Sequence, residues 1–151
     1  MNKTTATILV IAGLLAIPAT STAAVSYKGK ASGSSITFKL SGNKISGIRT
    51  VVPTVCVETT GSGMSRAGGE LFRPPGRFTL GKARKVKALQ PAAINSGTKA
   101  TKNYTVSASK SGRRIKGKLK VSLSFLRLDL FRRLPYTYIC TGTAKFSASP
   151  R

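Results

Sequence analysis

The stretch Ser111-Gly-Arg-Arg-Ile115-Lys-Gly-Lys-Leu119-Lys-Val-Ser-Leu123-Ser-Phe125 carries the clearest pattern in the chain. Ile115, Leu119, Val121, Leu123 and Phe125 fall on one phase of a two-residue period, with Gly117 in step. Lys116, Lys118, Lys120, Ser122 and Ser124 fall on the other. Successive side chains of a strand point to opposite faces, so this segment predicts a strand with one face in a core and one in water. Ser111-Gly-Arg-Arg114 is a turn signal at its head. The phase breaks at Leu126, which predicts a bulge or turn running through Arg133-Leu-Pro135.

The same period recurs on both sides. Tyr104, Val106 and Ala108 alternate before the turn, and Tyr138, Cys140, Ala144 and Phe146 alternate within Tyr136 to Phe146. Near the start, Ile36, Phe38 and Leu40 alternate, Ser41-Gly-Asn-Lys44 turns the chain, and a second strand runs from Ile45 to Val57. Pro53 inside that strand implies an edge position or a bulge. Thr59 to Gly69 is rich in Gly, Ser and Thr and predicts a loop. Phe78-Thr-Leu80 predicts a short strand after Pro74-Pro-Gly76. Lys82 to Leu89 fits a strand or a short helix, and Gln90 to Asn103 predicts a long surface loop. Residues 41–47 echo residues 111–117, either because two hairpins reuse one turn chemistry or because half a domain is duplicated. About seven to eight short strands with many turns predict an all-β fold, an antiparallel β-sandwich or barrel.

Residues 1–24 read as a signal peptide. Lys3 gives the positive start, Ile8 to Ile17 is uninterrupted and apolar, and small residues lead up to Ala24. An apolar run of that length falls well short of the roughly 20 residues a membrane span needs. Residues 25–151 are then a single β domain expected to be secreted or associated with the cell surface. The chain has 26 Lys+Arg against 3 Asp+Glu and no His, a formal charge of +23. Removing Lys3 leaves 25 basic against 3 acidic side chains, or +22.

This inventory argues against an enzyme. General acid–base work needs paired carboxylates or a histidine, and the acids are only Glu58, Glu70 and Asp129. Metal sites of the usual kinds lack their ligands, and no cofactor motif is present. Ser41-Gly-Asn-Lys44 and Ser107-Ala-Ser-Lys110 both match S-x-x-K, but each sits at a strand end without companion motifs. Cys56 and Cys140 have no histidine to activate them, so they predict a structural disulfide, with two buried thiols as the alternative.

The landmarks Tyr27-Lys-Gly-Lys-Ala-Ser-Gly33, Ile36-Thr-Phe-Lys-Leu-Ser41, Cys56, Gly76-Arg-Phe78, Ser111 to Leu119 and Cys140-Thr-Gly-Thr-Ala-Lys-Phe-Ser-Ala148 resemble those of small secreted β-proteins of Actinobacteria. The resemblance implies a Gram-positive secreted setting. It carries no activity, cofactor or site, and it does not extend to Lys82–Lys102 or Phe125–Pro135.

Two candidate sites follow. The first is a polyanion-binding face made of Lys110, Arg113, Arg114, Lys116, Lys118 and Lys120. Lysines at alternate strand positions stand about 7 Å apart, similar to the charge spacing of a polyanion. From Leu71 to Leu128 there are 15 basic residues and no acidic one, so nothing there neutralises the field. Outside a Gram-positive cell the matching partners are teichoic-type polymers, anionic glycans and anionic lipid surfaces; no specific nucleic-acid motif is present. The bland counterpart is a solvated sheet face whose lysines block edge pairing. The second candidate is a recognition loop within residues 59–76, with Glu70, Phe72 and Arg73 as anchors of a protein-binding module such as an inhibitor or envelope assembly factor. Lys82, Arg84, Lys85 and Lys87 form a further cluster, and Asp129 is expected to pair with Arg127, Arg132 or Arg133.

Overall fold

A computed structural model describes residues 23–59, 63, 65–92, 95–128 and 135–151. Nine strands account for most of them: β1 (Val25–Ala31), β2 (Ser34–Ser41), β3 (Lys44–Glu58), β4 (Ser65–Phe72), β5 (Arg77–Thr79), β6 (Arg84–Ala92), β7 (Asn95–Ser111), β8 (Arg114–Leu128) and β9 (Pro135–Pro150). There is no helix among the described residues. The sheet order is β4-β3-β2-β1-β9-β8-β7-β6, with β5 beside β3 and a further β3–β9 pairing. That last pairing closes β9, β1, β2 and β3 into a barrel, and the remaining strands extend its sheet. All pairings are antiparallel.

Three hairpins turn in two residues, because Ala31 pairs with Ser34, Ser41 with Lys44 and Ser111 with Arg114. Gly42 (φ 57°) and Gly112 (φ 59°) supply the left-handed residue that such hairpins need. The echo between 41–47 and 111–117 is therefore shared turn chemistry at its start, but it diverges at its end. Gly47 has φ 62° and sits where the β2–β3 register slips by one residue. Gly117 has no such φ; a Cβ there would lie 2.3 Å from the Ser107 carbonyl oxygen and 2.5 Å from the Phe146 ring. One glycine makes a bulge and the other makes room for an aromatic ring.

The bulge at Gly47 decides which residues of β3 face inward. Ile45 is inward before it; after it, Ile48, Thr50, Val52, Thr54, Cys56 and Glu58 are buried. Val51, Pro53, Val55 and Val57 are turned out. The bulge also carries β3 away from β2. Pairing with β2 ends at Arg49, and pairing with β9 begins at Thr54. Pro53, which has no N–H to donate, falls in the gap between the two partners.

The core runs the length of the barrel. Tyr27 stacks on Phe38 at 5.2 Å, and Phe38 meets Phe146 edge-on at 5.9 Å. The disulfide Cys56–Cys140 joins residues that face each other in the β3–β9 seam. It thus closes the barrel between an early strand and the last one.

Three sequence expectations are corrected. Residues from Ser65 to Phe72 form β4 rather than continuing the loop, because Ala67, Gly68 and Gly69 lie along β3 with their backbones paired. Gln90 to Asn103 is not a long loop. It supplies the end of β6 and the start of β7, which pair from Arg84↔Val106 onward. The phase does not break at Leu126: β8 continues in register with β9 to Leu128, and Leu126 is an apolar side chain left on the outer face. Residues 129–134, including Asp129, Arg132 and Arg133, lie outside the described residues, as do residues 1–22 of the proposed leader.

Candidate functional site

The outer face of β8 holds Arg114, Lys116, Lys118 and Lys120, all exposed. Register shows what stands beside each. Lys116 lies between Ser109 of β7 and Ser147 of β9, and Ser147 in turn pairs with Lys30 of β1. Lys118 faces Lys145 of β9 directly. Lys120 lies between Thr105 and Thr143, and Thr105 pairs with Lys85 of β6. The lysines are thus spread across the strands β6, β8, β9 and β1 in rows, separated by serine and threonine.

Like charges opposite each other on neighbouring strands are destabilising. Among the described residues the Lys118–Lys145 pair has no acid to relieve it. Glu58 is 7% exposed and accepts a hydrogen bond from the Tyr138 hydroxyl at 3.4 Å. Glu70 is 2% exposed and paired with Lys102. Among the described residues, therefore, no acidic side chain reaches the surface, and the exposed charged side chains are cationic.

The rows continue into an open cleft of about 1030 Å³. Lys85, Lys87 and Lys120 stand on one side of it, and Pro53, Val55 and Ala67 on the other. Asn103, Ser122 and Thr141 lie between, on the cross-strand row Lys87–Asn103–Ser122–Thr141–Val55–Ala67. This floor offers hydroxyl and amide groups, and its cations come from one side alone. Such a surface can hold an extended anion by charge and by hydrogen bonds to its oxygens.

The predicted polyanion set is only partly brought together. Lys116, Lys118 and Lys120 share the face with Arg114, and Arg113 lies exposed in the turn beside them. Lys110 does not join them: it pairs with Ile115, so it belongs to the inward phase of β7 and is exposed only because the strand ends there. Arg84 also leaves its cluster, with its guanidinium over the Phe78 ring at 5.9 Å. Lys30 and Lys145 were missed, although Lys145 is legible as the polar step between Ala144 and Phe146. Tyr136 is buried, and Tyr138 stacks on Phe125 at 5.6 Å.

The recognition-loop candidate is corrected. Phe72 is 0% exposed and meets the Tyr104 ring edge-on at 4.9 Å. Glu70 is paired with Lys102 of β7, itself 2% exposed. Neither Glu70 nor Phe72 can anchor a partner at the surface, because both pin β4 onto β7. Arg73 alone of the three is exposed, and its carbonyl accepts a hydrogen bond from Gln90 Nε2 at 3.1 Å. The Tyr104 hydroxyl donates to Gln90 Oε1 at 2.7 Å. Burial pushes that hydroxyl up to about 12; the charge of Glu70 adds to the shift, and a backbone hydrogen bond with Arg73 opposes it. Comparisons with protein-family models, with curated proteins and with solved structures found no match.

Proposed function

We propose that the chain is a secreted, non-enzymatic β domain that binds anionic envelope or extracellular polymers through its basic sheet face. The observation that supports this most is the one-signed surface. Both described acids are buried, while Lys116, Lys118, Lys120, Lys145 and Lys30 lie on one outer face. A fold gains nothing from placing Lys118 opposite Lys145. A bound polyanion would turn that repulsion into attraction and release its own counterions.

The test is binding to inorganic polyphosphate and to heparin at graded salt. Wild-type affinity should fall steeply as salt rises. The triple variant Lys116→Gln, Lys118→Gln, Lys120→Gln should bind about tenfold more weakly at low salt, from exposed-charge contributions of up to about 1 kcal/mol each. Its salt slope should be smaller by about 2–3, one counterion per lost contact. A triple variant with wild-type affinity and slope would contradict the proposal.

A further inference from the structure

The phase shift at Gly47 leaves an apolar strip on the outside of the barrel. Val51, Val55 and Val57 are 42%, 50% and 41% exposed, and exposed Pro53 lies among them. Leu71 of β4 pairs with Val51, Ala67 with Val55, and Ile139 of β9 with Val57. Leu71 and Ile139 are also well exposed, at 38% and 42%. Gly69 faces Pro53, and a Cβ on it would lie 2.9 Å from Val51 Cγ1, so the strip lies flush on the β4 backbone. No charged residue interrupts these positions.

Cations border the strip. Arg49 is exposed two residues before Val51 on the same strand face, and Arg73 follows two residues after Leu71. Lys120 lies two strands from β3 across β9, about 10 Å away at the usual strand spacing. Contiguous exposed apolar surface rimmed by polar groups is the kind that protein and membrane interaction sites use. Its occupant must be apolar where it meets the valines and anionic where it meets their border. A second copy of this chain fits poorly, since it would bring the same cations face to face.

We propose that this strip and its cationic border seat the domain on an anionic lipid surface, with the valines at the headgroup–acyl boundary and Arg49, Arg73 and Lys120 on the phosphates. Binding of this type combines buried apolar area with attraction to anionic lipid. The inference rests on the polyanion reading for its charge component and adds a component that salt does not screen.

The experiment compares three probes: polyphosphate, vesicles of phosphatidylglycerol and phosphatidylcholine in equal parts, and vesicles of phosphatidylcholine alone. At 0.5 M salt the Debye length is about 4 Å, so polyphosphate binding should be lost. Binding to the phosphatidylglycerol vesicles should persist in part. The variant Val51→Thr, Val57→Thr leaves the cleft wall at Val55 untouched, keeps β-branched residues on exposed strand positions and should fold. It should lose the salt-resistant component by about tenfold while its polyphosphate binding at low salt stays within about twofold of wild type. Vesicle binding that vanishes with polyphosphate binding at 0.5 M salt, or that the threonine variant leaves unchanged, would overturn the lipid proposal alone. A concentration-dependent dimer that the threonine variant abolishes would overturn it in favour of a second copy. Failure of wild type to bind polyphosphate at low salt would overturn the polyanion reading and this inference with it.

Discussion

Lys102→Met is expected to lower the unfolding free energy by about 3–5 kcal/mol, because it takes the Lys102 ammonium away from the buried Glu70 carboxylate. For a domain of this size that corresponds to a fall of roughly 10–20 °C in Tm. The pair sits where β4 packs across β7, beside the Phe72–Tyr104 contact, and both members are 2% exposed. At 2% exposure the Glu70 carboxylate has little water to replace the lost positive charge. The double variant Lys102→Met, Glu70→Leu removes both charges and should recover most of the loss, since apolar replacements of a buried pair are often neutral. Thermal melts of the two singles and the double, followed by circular dichroism, give the coupling directly. A double variant no better than the singles would mean that the pair acts through packing and not through charge.

Removing the disulfide should cost a similar amount. Cys56→Ala with Cys140→Ala opens a loop of 84 residues, for which the chain-entropy estimate is about 4–5 kcal/mol. The expected fall in Tm is roughly 15 °C. The structure adds a local signature. The β3–β9 pairing spans only Thr54–Glu58 against Tyr138–Gly142, with the cystine at its middle. Amide hydrogen exchange should therefore quicken at these positions more than at Ile115–Phe125, whose long pairings with β7 and β9 do not depend on the seam. Uniform loss of protection throughout the barrel would show that the bond acts only through the unfolded chain.

The fold class was legible where polar and apolar residues alternate cleanly. Ile115 to Phe125 and Ile36 to Leu40 each name their inner face without ambiguity, and both do so correctly. The strand Lys44–Glu58 was legible as a strand but not in its facing. Val51, Val52, Val55 and Val57 are apolar on both phases, and only the bulge at Gly47 selects Val52 for the core. The apolar strip was hidden for the same reason. Lys102 was hidden because a lysine in a polar stretch reads as surface. It falls in phase with Ala100, Tyr104 and Val106, and its burial depends on Glu70, 32 residues away on another strand. The mirror error occurred at Glu70 and Phe72, where a glycine-rich lead-in suggested a loop although the backbone is paired along β3. The lysine row itself was visible, but its neighbours Lys145 and Lys30 depend on strand order, which local pattern does not encode.

The most direct test of the central claim is an amide and side-chain chemical-shift titration of the folded domain with a short polyphosphate at low salt. The account predicts that Arg114, Lys116, Lys118, Lys120, Lys145 and Lys30 shift together and saturably, while buried Glu70 and Phe72 stay still. Shifts centred on residues 65–76, or small shifts spread evenly over every lysine and arginine, would contradict it.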